Sequence, residues 1–320
     1  MVQLVAFRNA NGELGFIQRD GNDISYYMNT SVALYSISGA NSWKAWVQQI
    51  DAGYGGDSDR EIIGKDAIQY FLSNYVETVN INIVEIAYVK SPGSFYPRIF
   101  RENIFFNYVS EQFLQDVRAY NNIQSSLDVL FNYIEPSVSN LIAYGHKIRE
   151  LLILACAEVE CLLVKTLTDN GYERDRYTTN DYIKCKSVLR LDEFEVMLTQ
   201  YPNLKVFKPF HGWDIGSPTK SLAWYNAYSS VKHNRSDNIT DANLEHLLDA
   251  ISAIHVLLES QYGSNIFERW NSQTEGRSIY KTKVKPKWEC AEVTAPKLIA
   301  GYSIKAEWTD RRKYFDDYSV

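Results

Sequence analysis

Residues 224–235 (WYNAYSSVKHNR) hold the side chains of this chain that are most able to do chemistry. Histidine transfers protons near neutral pH, and His233 stands close to two cations, Lys232 and Arg235. Lysine and arginine bind phosphate and stabilise the charge that develops on it. Such a set could bind an RNA phosphate and assist its cleavage by the neighbouring 2′-hydroxyl without a metal. His233, Arg235 and Lys232 are therefore the candidate catalytic residues.

A second group of polar residues could contact nucleic acid around this histidine. Arg149 and Glu150 share one side of a helix with His146, and they are expected to reach across to the His233 region. The candidate nucleic-acid contacts are Arg149, Tyr225, Asn226, Tyr228 and Asn234, with His146 and Glu150 in support. The alternative for the cluster around His233 is a helix end whose cations cap its last carbonyl groups. The alternative for Arg149 and Glu150 is a solvated or salt-bridged helix face.

The sequence gives little indication of a metal site. His246 and His255 are nine residues apart and fall on different faces of one helix, and neither H-E-x-x-H nor C-x-x-C occurs. No G-x-G-x-x-G or G-x-S-x-G motif supports a dinucleotide site or a serine hydrolase. The sequence predicts no metal and no cofactor.

Composition and charge are typical of a globular protein of a reducing compartment. The 320 residues are 45% apolar. Their formal net charge of -6 argues against a protein that covers nucleic acid with a generally basic surface. The four cysteines have no paired spacing. The sequence shows neither a basic-then-apolar signal pattern nor a run of about 18 apolar residues. We expect a cytoplasmic protein that does not enter a membrane.

The fold class predicted from these elements is α+β, with a mostly antiparallel β region, then a helical bundle, then an extended tail. Short strands are predicted at residues 2–7, 14–18, 24–28 and 32–38, and the alternation of polar and apolar residues predicts a half-buried strand at 80–86. Asn11-Gly12 predicts a type I′ hairpin turn, because both central positions of that turn need positive φ. Helical spacing appears within this region at residues 43–50 and 67–75.

Helical spacing then dominates the chain. It predicts helices at residues 101–120, 123–133, 140–169, 179–190 and 242–262. Asp192 can cap a further helix that ends before Pro202, and Ser217-Pro218 can begin the helix of the His233 segment. The expected domains are a β-rich region at 1–100, the bundle at 101–265, and a tail at 266–320. The lysines that alternate through residues 281–287 predict an extended tail, which is expected to return to the N-terminal sheet.

The order of elements from about residue 130 to residue 262 resembles that of HEPN domains. A long helix (YGHKIRELLILACAEVE), the polar segment and an apolar helix follow one another. The segment is similar to the "YN.VKH.R" signature of uncharacterised bacterial and phage-borne HEPN-like proteins. The residues that fit it are Tyr228, Val231, Lys232, His233 and Arg235, with Ser229 in place of its asparagine.

The resemblance implies a helical bundle that commonly forms a homodimer. Many HEPN proteins are metal-independent ribonucleases of toxin–antitoxin or phage-defence systems, and others only bind nucleotides or partners. Active members carry an arginine shortly before the histidine, where this chain has Asn226, Ala227 and Tyr228. The resemblance therefore implies first a protein that binds RNA, a nucleotide or a protein partner. The alternative is an endoribonuclease that uses His233 with Lys232 and Arg235, and a third reading places the function in the N-terminal β region.

Overall fold

The chain divides into two compact units. The computed structural model describes residues 2–20, 23–28, 35–37, 82–102, 110–267, 277–299 and 305–318. The first unit comprises Met1–Phe95, Arg101–Asn107 and Trp288–Arg311. The second unit comprises Tyr96–Phe100, Tyr108–Lys287 and Arg312–Val320. The helices predicted at residues 43–50 and 67–75 lie outside the described residues.

An antiparallel sheet forms the centre of the first unit. Its strands are β1 Val2–Asn9, β2 Leu14–Asp20, β3 Asp23–Met28, β4 Tyr35–Ile37 and β5 Ile83–Tyr88. They lie in the order β4-β3-β2-β1-β5, and every neighbouring pair is antiparallel. A short strand, β6 at Ser94–Phe95, follows outside this sheet. With the helices of the second unit, this confirms an α+β protein with an N-terminal antiparallel sheet.

The first hairpin differs from the predicted turn. β1 and β2 are joined through residues 10–13, and Gly12 has a φ of 82° whereas Asn11 does not have a positive φ. The side chain of Asn9 organises this longer loop, since its Oδ1 accepts the N–H groups of Asn11 and Glu13 at 3.0 and 2.9 Å. The hairpin was predicted at the correct place, but the type I′ turn was wrong because the loop extends beyond two residues.

One face of the sheet packs against the C-terminal part of the same unit. The buried residues of this core are Leu4, Ala6, Leu14, Phe16, Trp288, Cys290, Val293 and Ala295. Alternate residues of β1 face this core, as the period of a strand requires. Arg8 lies on that face, and its guanidinium donates to the carbonyl oxygen of Trp288 at 2.8 Å and pairs with Glu102 at 3.1 Å. Since Arg8 is buried, these partners satisfy a charge that would otherwise be costly.

Helices form most of the second unit. They are α1 Glu111–Phe131, α2 His146–Asp169, α3 Thr179–Tyr182, α4 Lys184–Leu189, α5 Ala223–His233, α6 Arg235–Asn238, α7 Leu244–Tyr262 and α8 Tyr314–Asp317. α2 and α7 run side by side in the same direction. Near their starts the Leu244 N–H donates to the Ala143 carbonyl at 2.8 Å, and near their ends Gln261 donates to the Leu162 carbonyl at 3.4 Å. None of the helices in the described ranges is long and apolar enough to cross a membrane.

A strand replaces the helix predicted after Asp192. α4 ends at Arg190, whose φ of 51° is left-handed, and a short 3-10 turn then leads to β7, Glu195–Leu198. β7 pairs antiparallel with β8, Tyr280–Val284. Buried and half-buried residues alternate along β7, so the period is that of a strand. The prediction was wrong because pairing with a strand far along the chain outweighs local helix propensity.

Other helix boundaries also moved. α1 is continuous where two helices were predicted, and its start is fixed by Ser110, whose Oγ accepts the Phe113 N–H at 3.1 Å. The helix of the polar segment begins at Ala223, after Ser217-Pro218 and not at it. The helix predicted at residues 179–190 is divided between α3 and α4 at Ile183.

The described part of the tail divides between the two units. β8 belongs to the second unit, whereas Trp288–Arg311 belongs to the first. In the first unit β9, Lys297–Ile299, pairs antiparallel with β10, Lys305–Glu307, and β11, Asp310–Arg311, pairs in parallel with β6. Within the described residues, none of these strands pairs with the five-stranded sheet.

Candidate functional site

Helix α5 carries the predicted site and divides its side chains between two faces. The buried face comprises Trp224, Tyr225, Ala227, Tyr228 and Val231. The indole of Trp224 donates to the carbonyl oxygen of Pro209 at 2.7 Å, which fixes the helix at its N-terminal end. Asn226 and His233 are exposed and lie two turns apart on the other face. The helix therefore separates aromatic residues that pack inward from polar residues that meet solvent.

Glu160 on α2 accepts a hydrogen bond from the buried phenol of Tyr225. The distance from Tyr225 Oη to Glu160 Oε1 is 2.5 Å. Burial raises the pKa of Tyr225 far above its ordinary value, and the bond to Glu160 adds to the rise, so the phenol keeps its proton. Burial also raises the pKa of the neighbouring Tyr182 to about 12. Glu160 was not predicted, although it follows Arg149 by about three helical turns and so shares its face of α2.

Lys232 follows Tyr228 by one turn and lies against its ring. Its Nζ donates to Tyr228 Oη at 2.8 Å and is 5.0 Å from the centroid of the ring. This hydrogen bond raises the pKa of Lys232, so the ammonium stays charged at neutral pH. Because Lys232 as a whole is exposed, that charge can also be reached from solvent.

Arg149 reaches α5, as the sequence predicted, and binds its main chain. Its Nε and Nη2 donate to the carbonyl oxygen of Val231 at 3.2 and 3.0 Å. A cation at this position satisfies a free carbonyl of the last turn and complements the negative end of the helix dipole. The guanidinium therefore caps the last turn of α5, which differs from both the ligand contact and the salt-bridged face expected for Arg149.

The two supporting residues lie at the start of α2. His146 is its first residue and is exposed. Glu150 pairs with Lys147 at 3.0 Å, and both side chains are more than half exposed. This solvated pair contributes little to stability. Because Glu150 pairs with Lys147, it does not take part in the contact that Arg149 makes with α5.

The last residues of α5 and the residue after it meet solvent together. Lys232, His233 and Asn234 are consecutive and exposed. Asn234 Nδ2 donates to Asp237 Oδ2 at 2.8 Å, which ties it to α6. Among the described residues, no hydrogen bond or ion pair of the His233 side chain is found. The side chain of Arg235 lies outside the described part of the chain.

The structure thus divides the predicted cluster into two sets. Arg149, Tyr225, Tyr228 and Lys232 meet at the seam between α2 and α5, and there their polar atoms bond to protein groups. The exposed set surrounds His233. Lys232 belongs to both sets, because its ammonium lies on Tyr228 while its side chain is open to solvent. The described residues hold no cluster of side chains suited to a metal ion.

A small apolar recess lies beside Tyr225. The space it offers is about 10 Å³, enough for about one water molecule, and its lining residues are Val159, Leu163, Thr179, Tyr182, Phe210, Trp213, Pro218, Leu222, Trp224 and Tyr225. Pockets for drug-sized ligands usually exceed about 300 Å³. This recess is too small for such a molecule, so the exposed end of α5 is the better candidate site.

Comparison with known proteins gives no family to which the chain can be assigned. No family model matches the sequence, and neither a curated protein nor a solved structure matches it.

Proposed function

We propose that residues from about 130 to 262 form a HEPN-like domain that binds nucleic acid at the exposed end of α5, in a phage-defence or toxin-type system. The order of α2, the polar α5 and the apolar α7 supports the domain. The similarity of residues 224–235 to the "YN.VKH.R" signature supports the location of the site.

The observation that carries this proposal is the exposure of Lys232, His233 and Asn234 side by side. An ammonium, an imidazole N–H and a carboxamide can each donate a hydrogen bond to a phosphate oxygen. The negative end of a helix dipole would repel an anion at this place. Arg149 offsets that repulsion, since its guanidinium covers the Val231 carbonyl in the last turn.

Binding is favoured over cleavage by the partners of the nearest cations. Cleavage needs a donor held where negative charge develops on the phosphate. Arg149 donates to the main chain of Val231, and Lys232 donates to the phenol of Tyr228. Both cations are thus directed at protein acceptors and not at an open position for a phosphate, which suits attraction of a phosphate more than stabilisation of a transition state.

The test measures the binding of a labelled, mixed-sequence single-stranded RNA by fluorescence anisotropy in EDTA over a range of salt concentrations. We expect Lys232→Gln/His233→Ala to weaken binding and to reduce the slope of log K against log salt by about 0.7, the value for one lost phosphate contact. The matched control is Lys220→Gln, which removes another exposed lysine of the second unit and should leave the slope unchanged. Equal binding by the double variant and the unaltered protein would contradict the proposal.

The exposure of His233 favours a metal-independent endoribonuclease as a second candidate. An exposed imidazole can act as general base toward a 2′-hydroxyl, with Lys232 and Arg235 as phosphate contacts. Incubation of a longer RNA with the protein in EDTA separates the two candidates. The binding function predicts intact RNA. Cleavage that leaves 2′,3′-cyclic phosphates and is abolished in His233→Ala would replace it with the enzyme.

A further inference from the structure

Four exposed lysines follow one another along and just after β8. Lys281, Lys283, Lys285 and Lys287 occupy alternate positions and are termed the lysine row. Together with Arg277 they make five cations within residues 277–287, which contain no acidic residue. The chain as a whole has a net charge of -6. The row is therefore a local basic surface on an acidic protein.

The backbone beneath the lysine row is anchored to α7. Tyr280 is buried, and its hydroxyl donates to the carbonyl oxygen of Leu248 at 2.8 Å. Thr282 Oγ1 lies 2.9 Å from His255 Nε2 and donates to Glu259. These inward residues alternate with lysines that are exposed on the opposite face, as the period of a strand requires. Lys281 and Lys283 therefore stand on a fixed strand, and Lys285 and Lys287 follow directly after it.

Two acids lie close to the lysine row and leave most of its charge uncompensated. Glu195 on β7 pairs with Lys208 at 2.5 Å, and this bond lowers the pKa of Glu195, with a smaller contribution from Lys283. Glu259 is only 4% exposed and lies beneath the strand, where the charge of Lys285 acts on it. Glu259 therefore lies beneath the row, and Glu195 is already paired with Lys208.

We propose that the lysine row binds the phosphate backbone of a nucleic acid, separately from the end of α5. Alternate residues of a strand are about 6.7 Å apart. Successive phosphates along a single nucleic-acid strand are separated by a similar distance, so each lysine of the row can meet one phosphate. Point charges at alternate positions along and just after a fixed strand suit such a backbone and read no base sequence.

A membrane surface fits the row less well. Surfaces that attach to lipid combine cations with exposed apolar or aromatic side chains that enter the interface. Within residues 280–287, Val284 is the one large apolar residue that is exposed, at 43%. The row therefore offers charge without an apolar group for insertion.

The experiment uses the full chain and the same single-stranded RNA, with anisotropy measured against salt. The variant replaces the whole lysine row with glutamine, and the expected result is a slope of log K against log salt reduced by about 3, since each phosphate contact contributes about 0.7. Arginine at the same four positions should keep the slope. The control replaces four exposed lysines elsewhere with glutamine and should also keep the slope: Lys90, Lys220, Lys297 and Lys313.

The row variant is also measured in the Lys232→Gln/His233→Ala background, so that the two surfaces are judged separately. If the slope falls only in the lysine-row variant, the inference is supported and the proposed site at the end of α5 is rejected. If the slope falls only in the Lys232→Gln/His233→Ala variant, the site at α5 is supported and the inference is rejected. An unchanged slope in the lysine-row variant overturns the inference, as does an equally reduced slope in the control variant. Loss of binding to vesicles with anionic lipid, with RNA binding intact, would assign the row to membranes. Aggregation of the row variant with unaltered RNA affinity would show that the lysines only protect a strand edge.

Discussion

Glu158 on α2 is a carboxyl group whose surroundings oppose its charge. Burial raises its pKa from 4.5 to about 7, Asp116 adds to the rise, and Arg98 opposes it. In the unfolded chain the group titrates near its ordinary value, so the folded protein binds more protons between pH 4.5 and about 7. The stability that this group contributes is therefore present below pH 4.5 and is lost as the pH rises through about 7.

Glu158→Gln removes this ionisation and keeps the size of the side chain. We expect its free energy of unfolding to exceed that of the unaltered protein by about 2 to 3 kcal/mol at pH 8, after allowance for partial exposure, and the gain to disappear near pH 4. Urea unfolding followed by circular dichroism across this pH range measures the difference. Glu173→Gln, at an exposed position, is the control and should show no pH-dependent gain. A gain of the same size at every pH would disprove the assignment.

The residue types of the site were predictable from the sequence, but their partners were not. Polar residues at the end of a helix are usually exposed, so the accessibility of Lys232 and His233 followed from their position. The bond from Arg149 to α5 and the acceptor role of Glu160 depend on how α2 lies against α5. Spacing within one helix does not determine that offset.

At the scale of elements, the end of α7 shows a strict local requirement. Gly263 has a φ of 89°, which favours glycine. A Cβ at this position would lie 2.9 Å from the ring of Phe100, closer than packed carbon atoms tolerate. Both the backbone and the neighbouring ring therefore exclude a larger residue where the helix ends.

We expect Gly263→Ala to lower the free energy of unfolding by about 1–3 kcal/mol, through left-handed strain and displacement of the ring. Gly145→Ala is the matched control at the start of α2. Its φ of 168° is extended, and nothing lies within 4 Å of an added Cβ, so its effect should stay within about 0.5 kcal/mol. Urea unfolding measures both variants. Equal stabilities for the two would refute this explanation of the helix end.

Long elements were predictable where the periodicity was continuous, as in α2 and α7. The strand β7 could not be predicted, because only four residues form it and its partner strand lies far along the chain. The Asn9 loop was missed for a related reason, since a side-chain acceptor and not the Asn11-Gly12 pair alone organises it.

At the scale of the molecule, each unit is assembled from separate stretches of the chain. In the second unit Asn170 is fully buried and joins three of them. Its Nδ2 donates to the Pro97 carbonyl at 2.7 Å, and its Oδ1 accepts the Tyr314 N–H at 3.2 Å. Contacts between residues so distant in sequence leave no periodic pattern. The sequence therefore predicted the class of fold and the long helices α2 and α7, but not these contacts.

The charge of the molecule is uneven, and this bears on both proposed contacts. A net charge of -6 repels nucleic acid on average, so binding depends on local cations at the end of α5 and in the lysine row. Affinity should therefore fall steeply with salt.

Photo-crosslinking of the full chain to a 4-thiouridine-substituted RNA, with mass spectrometry of the linked peptides, tests the central proposal most directly. We predict crosslinks at Lys232, His233 or Asn234, and separate crosslinks within residues 281–287, both of which high salt abolishes. Crosslinks confined to the first unit, or a complete absence of crosslinks at residues 232–234, would contradict the proposal that the end of α5 binds nucleic acid.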